Sequence, residues 1–323
     1  MTTSVLPNNE QKMAIIKLWD AMFRGARAEV ERRGFIGVHN MPEIVGVTGA
    51  CENVDTLFKV DYFGKQAYLA QSDQLYLELI TPHLERVYAE IQSFRMEPDA
   101  DDRHLTQFAL FEIEHQGNLD DLMENIEAIL WSIVDTVDVS EAVINDEWFQ
   151  QVWEHRCAGL ARVTYTEAIE FLQREHYPDL EWGIDLKDHH EALIVEEYGP
   201  CFVTHYPLPI KFFNMKQNKE KPSTVNSCDL LLPYSGESAG AAEREHTYEN
   251  IERRLKESDM YKRLIELGGK DEDFEWYLEA HRDKDIPLHS GAGLGKARIA
   301  QYLIGLEDIR DAVPFVLNSE NLL

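Results

Sequence analysis

Two β-rich stretches, residues 86–97 and 107–114, flank the polar run Pro98-Asp99-Ala100-Asp101-Asp102, and this arrangement constrains the fold more than any other feature of the chain. Proline and aspartate favour turn conformations, so the two stretches are predicted to pair as a long antiparallel hairpin. Further strand signals lie at 57–63 and 67–70 around a Gly64-Lys65 turn, at 201–213 and at 227–232. Ile15, Leu18, Trp19, Met22, Phe23 and Ala26 recur at helical spacing and predict a helix over 10–33, with Gly34 placed to stop it. Ser72 is placed to cap a helix through Leu75, Leu77 and Leu79, and Asn118 one through Leu119, Leu122, Ile126, Ile129 and Ile133. Residues 150–200 read as helical and mixed, 243–268 as a charged helix and 299–306 as a last helix. With no internal repeat, the pattern predicts one α+β domain over 1–323, an antiparallel sheet flanked by helices.

Composition narrows the function. The 323 residues are 44% hydrophobic, enough for a sizeable core, and 31 Lys+Arg against 59 Asp+Glu leave a net charge of −28. That field repels polyanions at long range, which argues against DNA as a partner and makes tRNA an unfavourable one. The first 11 residues carry no signal-peptide pattern, and no run of about 18 apolar residues occurs, so a cytoplasmic protein without a membrane partner is expected. Cys51, Cys157, Cys201 and Cys228 form no CxxC pair, and free thiols are expected.

Three constellations carry chemistry. Arg95 and Glu97 on one arm of the hairpin, with Arg103, His104 and Phe108 on the other, suit a nucleotide. Arginine forks match phosphate oxygens, an aromatic face stacks on a base and a glutamate accepts from an exocyclic amine. Solvated charges on a surface hairpin would give the same residues. Asp229 and Glu237 bracket a strand and a glycine turn, as a hard cation such as Mg²⁺ requires, or as two unrelated surface acids would. Gly291, Gly293 and Gly295 precede Arg298, in a GxGxG spacing that does not match a dinucleotide fingerprint and that also fits a plain helix start. His189-His190 lacks a third ligand and reads as a solvated pair.

Taken in order, these segments resemble the catalytic domain of class II aminoacyl-tRNA synthetases, closest to the asparaginyl branch. Gly34-Phe35 through Pro42 is similar to motif 1, Phe94 to Glu97 with Arg103 to Phe108 to motif 2, and Gly293-Leu294-Gly295 with Arg298 to motif 3. Thr56 to Gly64, Gln71 to Glu78, Asp229 to Glu237 and Glu243-Arg244-Glu245-His246 carry the likeness to that branch. The resemblance implies a six- or seven-stranded antiparallel sheet, a homodimer formed through motif 1, and a bent ATP with Mg²⁺. It implies that Arg95 holds the α-phosphate, Glu97 the adenine amine, Phe108 one face of adenine and Arg298 the other face and the γ-phosphate. Arg103 and His104 would clasp the outer phosphates, and Asp229 and Glu237 the metal. Gln74, Glu52 and Glu112 would surround the substrate's α-amino group, and Arg244 its side chain.

About ten residues precede the first helix, whereas that branch carries an anticodon-binding β-barrel of roughly 100 residues there. With the charge, this leads to the expectation of an amide synthetase. Such an enzyme would adenylate aspartate or a related acid, pass the acyl group to ammonia or a small amine, and not use tRNA, in the manner of the archaeal asparagine synthetase of this branch. A truncated asparaginyl-tRNA ligase and a non-catalytic amino-acid- or nucleotide-binding paralogue are the alternatives. Four departures bear on the substrate and on ATP geometry: Cys51-Glu52-Asn53-Val54 for an expected Glu-Gly-Gly, Gly240-Ala241-Ala242 for a glycine-rich turn, Ala297 for glutamate, and Val316-Leu317 for Pro-Arg.

Overall fold

The computed structural model describes residues 10–48, 53–138, 145–282 and 284–321. The elements follow in chain order as α1 (Glu10–Arg32), β1 (Ile36–Gly37), β2 (Ile44–Val45), β3 (Lys59–Tyr62), β4 (Lys65–Leu69), α2 (Gln74–Leu84), β5 (Arg86–Phe94) and β6 (Gln107–Gln116). Next come α3 (Leu119–Thr136), α4 (Asp146–Ala158), β7 (Ala161–Thr164), α5 (Tyr165–Glu175), α6 (Asp188–Tyr198), β8 (Cys201–Thr204), β9 (Ser227–Leu232) and β10 (Gly236–Glu243). The chain continues through α7 (Tyr248–Glu257), α8 (Asp259–Glu266), α9 (Glu275–His281), β11 (His289–Gly295) and α10 (Lys296–Ile304).

The predicted hairpin forms, with Phe94 opposite Gln107 and Arg86 opposite His115. It belongs to an eight-stranded sheet ordered β1-β5-β6-β11-β10-β9-β8-β7, larger than the six or seven strands expected. The centre is antiparallel, and the added edge pairs β1–β5 and β7–β8 run parallel. The Gly64 hairpin forms in a separate three-stranded sheet, β2-β4-β3.

Because side chains alternate across a strand, the two faces of the large sheet differ in kind. Phe111, Ile113, Ala292, Leu294, Ala239, Ala241, Cys228, Leu230 and Phe202 point to one face and pack with the apolar stripes of α1, α3 and α10. The other face carries Leu110, Glu112 and Glu114 on β6 beside Gly293, Gly291, Gly240 and Ala242, so along β10 and β11 its floor is almost free of side chains. A bare floor between helices is where a ligand fits.

Local signals mostly hold. Asn118 caps α3 in a reciprocal box with Asp121. Asp73 stands at the cap position of α2 without a side-chain bond to it, and the Ser72 hydroxyl accepts the Gln74 N–H at 3.1 Å at the start of the helix and donates to Glu112 at 2.6 Å. The stretch at 201–213 is a strand only to Thr204, because Pro207 and Pro209 lack the N–H a ladder needs and a 3₁₀ turn covers Leu208–Ile210. The charged helix expected over 243–268 is two helices, with Glu243 completing β10 and Ser258 capping α8. Cys157, Cys201 and Cys228 are free thiols. Among the described residues no helix is long and apolar enough to cross a membrane.

Candidate functional site

At one end of the bare face, Arg95 leaves β5 and lies 5.5 Å from the Phe108 ring, with its Nε buried and without a hydrogen-bond partner. Glu97 is half-buried on the same arm. In the loop between β5 and β6, the backbone N–H groups of Arg103 and His104 donate to Asp101 at 2.9 and 2.8 Å, and the exposed His104 ring pairs with that carboxylate at 2.8 Å. Arg298, near the start of α10, donates to the carbonyl of Ser235 and to that of Arg103, each at 2.9 Å. Burial, then the neighbouring Arg103, lower its pKa. The motif 2 loop and the motif 3 helix are therefore tied together through Arg298. Ala297, where the resemblance has glutamate, is buried in an apolar cluster with Leu105, Ile309 and Val313, in which an unpaired carboxylate would be costly.

The paired carboxylates depend on an irregularity in β10. The register shifts between Glu237 and Ala239, so Glu237 stands opposite Leu231 and Ala239 opposite Leu230. Without that bulge, strict alternation would send Glu237 to the apolar face; with it, Glu237 shares the open face with Asp229. Both reach over Gly240, whose missing Cβ would sit 3.2 Å from Glu237 Oε1 and 3.7 Å from Asp229 Oδ1. Lys211 donates to Asp229 at 2.8 Å, so a positive charge already rests on the pair. Two convergent carboxylates suit Mg²⁺, which takes its remaining ligands from phosphate and water. Gly240-Ala241-Ala242 is strand and not a turn, with Gly240 and Ala242 on the open face and Ala241 in the core.

The other end of the face is a buried polar pocket. Arg244, 2% exposed, lies 3.4 Å from Glu114 and 3.6 Å from Glu78. Glu78 also accepts from Gln74 at 3.1 Å, from Asn214 at 2.6 Å and from the Tyr277 hydroxyl. Burial raises the Glu114 carboxyl well above its usual range, against the opposing pull of Arg244. Burial also pushes Glu112 up to about 8, although the Ser72 hydroxyl and the Asp73 N–H donate to it. Three buried atoms here lack partners: Glu114 Oε1, Asn214 Oδ1 and His289 Nε2. His289 Nδ1 faces the Pro287 carbonyl at 2.9 Å and so carries the ring proton. Burial lowers this imidazole to about 3, which leaves Nε2 as an acceptor. Asn214 Oδ1 and His289 Nε2 are thus acceptors, while Arg244 is the donor among them.

The structure thus brings together Arg95, Arg103, Phe108 and Arg298, then Asp229 and Glu237, then Gln74, Glu112 and Arg244; Glu52 lies outside the described residues. Sequence reading missed Glu78, Glu114, His289, Lys211 and Glu191. The first two were detectable, since Glu78 follows Gln74 by one helical turn and Glu114 shares the strand face of Glu112. His190 is not solvated: it is buried, and its ring accepts the Lys187 N–H at 3.1 Å at the start of α6.

A glycine-floored antiparallel sheet, with arginines at one end and paired carboxylates beside them, is the fold of the class II synthetases. The match to the family model for class II tRNA synthetases (D, K and N) covers residues 4–319, and the chain belongs to that family. It is 35% identical over 310 residues to the asparagine–tRNA ligase of Thermococcus kodakarensis, spanning 94% of this chain and 68% of that protein. It is 34% identical to that of Pelotomaculum thermopropionicum, over 94% of this chain and 69% of the relative. Among solved structures, the asparaginyl-tRNA synthetase of Pyrococcus horikoshii complexed with asparaginyl-adenylate superposes with a TM-score of 0.85 at 34% identity, covering 97% of this chain and 70% of that one. The Entamoeba histolytica asparaginyl-tRNA synthetase gives a TM-score of 0.82 at 26% identity, covering 97% and 69%. The chain is therefore an asparaginyl-tRNA synthetase-like member of this ligase family.

Proposed function

We propose that this protein adenylates asparagine at its α-carboxylate with ATP, and that tRNA is the acceptor of the activated acyl group. The observation that carries the choice of amino acid is the charge balance around Arg244. Its single positive charge is already met by Glu78 at 3.6 Å, with the Glu114 carboxyl at 3.4 Å, and the unpartnered Asn214 Oδ1 and His289 Nε2 beside it are acceptors. A side-chain carboxylate would bring another negative charge into this buried pocket, at a large desolvation cost. A neutral primary amide would instead accept from Arg244 through its oxygen and donate through its two N–H bonds. This favours asparagine over the aspartate expected from sequence, and the names of the relatives favour tRNA over ammonia.

In the first half-reaction an α-carboxylate oxygen attacks the α-phosphorus, the bond to the bridging oxygen breaks and pyrophosphate leaves. Arg95 stabilises charge on the α-phosphate, Phe108 supports adenine, Glu97 accepts from its amine, and Arg103, His104 and Arg298 meet the departing phosphates. Gln74 and Glu112 orient the α-ammonium. Asp229 and Glu237 would hold Mg²⁺, which would supply neutralisation of phosphate charge. In the second half-reaction a ribose hydroxyl attacks the acyl carbon and AMP leaves. A homodimer through the 34–42 segment is part of this reading, supported by the sheet-edge position of β1 and by Ile36, 48% exposed there.

Amino-acid-dependent exchange of pyrophosphate into ATP tests the first half. Asparagine should exceed aspartate in kcat/KM by on the order of 10²-fold or more. Equal or better use of aspartate would refute the reading. AMP release stimulated by tRNA with asparagine supports the proposed acceptor, and asparagine formed from aspartate and ammonia without tRNA would restore the amide synthetase.

A further inference from the structure

The helix α6 lies in a segment for which neither the motifs nor the proposed chemistry supplies a role, yet it reaches the phosphate end of the site. Glu191, 8% exposed, accepts the backbone N–H of Glu237 at 3.0 Å and lies 3.7 Å from Arg103 Nη2. One turn earlier, Asp188 is 2.8 Å from Arg103 Nε, an ion pair whose angle does not make a hydrogen bond. Gly236 sits at φ +63°, and a Cβ there would overlap the Glu191 carboxylate and lie 3.1 Å from Arg103 Nη2. Arg298 closes the ring by donating to Arg103 and Ser235. Three separate parts of the ATP end, namely the motif 2 loop, the turn bearing Glu237 and the helix bearing Arg298, therefore meet around one carboxylate.

We infer that Glu191 is a positioning residue for ATP, fixing Glu237 through its backbone N–H and holding Arg103 beside it before the nucleotide arrives. The inference rests on the reading of this face as an ATP site. Glu191 touches neither reacting group; its effect passes through the two residues it holds. A buried carboxylate placed beside a phosphate site would by itself oppose ATP; here the Glu237 N–H and the Arg103 guanidinium offset it. Among the described residues, the hydrogen bond and ion pair of the Glu191 carboxylate go to Glu237 and Arg103, neither of which belongs to the asparagine pocket.

Equilibrium binding of Mg-ATP and of asparagine, each alone, by titration calorimetry separates the roles. Glu191→Ala should weaken ATP about tenfold, the loss typical of a charge-assisted hydrogen bond, and leave asparagine affinity within about twofold. Glu191→Gln, whose amide oxygen still accepts from Glu237, should return ATP affinity to within about threefold of wild type. Should the alanine variant fail to fold, the glutamine variant and Asp188→Ala decide the matter. The Asp188 side chain is 59% exposed, and its removal should weaken ATP about two- to threefold through Arg103 alone. Unchanged or tighter ATP binding in Glu191→Ala, an equal loss for asparagine, or a glutamine variant as weak as alanine would each overturn the inference. A wild-type protein binding neither ligand would refute the proposed function instead.

Discussion

Lys296 opens α10 with its side chain wholly buried, its Nζ without a hydrogen-bond partner and the Phe23 and Phe111 rings 4.4 and 4.6 Å away. Burial lowers its pKa from 10.5 to about 7, with Glu90 pulling weakly the other way. The unfolded chain keeps this proton up to about pH 10.5, whereas the folded chain releases it near 7. Between those values the unfolded state binds more protons, so the lysine's penalty on folding is full below pH 7 and fades as pH rises to 10.5. A shift of 3.5 corresponds to roughly 5 kcal/mol at 1.36 kcal/mol each, and cation–π attraction to two rings returns about 2 kcal/mol. Lys296→Met keeps the length, places a polarizable sulfur between the rings and removes the buried amine. It should stabilise the protein by about 2–3 kcal/mol at pH 7, an increase of roughly 5 °C in Tm. Urea unfolding followed by circular dichroism at pH 7 and 9.5 measures the gain, which should shrink to under half at the higher pH. A variant less stable than wild type at pH 7, or a gain independent of pH, would refute this account.

Three further outcomes follow from the site. Gly291→Ala would drive its Cβ into Glu114 and within 2.7 Å of the Ile113 carbonyl. A cost of about 1–3 kcal/mol in chemical denaturation and a raised KM for asparagine are expected. Glu78→Gln removes the carboxylate that meets the charge of Arg244 at 3.6 Å, so the asparagine-to-aspartate ratio of kcat/KM in pyrophosphate exchange should fall at least about tenfold. Arg95→Ala should abolish adenylate formation while leaving asparagine binding intact by calorimetry, since Arg95 stands at the phosphate end of the sheet; full AMP formation would remove it from that role.

Much of the fold was legible because its signals are local. The alternation on both sides of Pro98–Asp102 foretold the β5–β6 hairpin, the spacing from Ile15 to Ala26 foretold α1, and Asn118 foretold the start of α3. Where expectation failed, a longer-range contact intervened. Asp73 took the cap position of α2 while Ser72, which still accepts the Gln74 N–H, reaches Glu112 forty residues away, and the two parallel edge pairs join segments whose pairing no local pattern encodes.

The sequence by itself determined the chemistry at hand: motif arginines, paired acids, glycines for a bare floor, and the class II pattern that their order carries. Only the tertiary structure decided what those residues face. The bulge beside Ser238 turned Glu237 to the side of Asp229, packing of α6 brought Glu191 under the turn, and closure of the pocket set Glu78 and Glu114 against Arg244. Spacing along a chain fixes the face on which a side chain emerges. The sign and strength of the field it meets depend on burial and on partners from distant segments, and that field separates a pocket for an amide from one for a carboxylate.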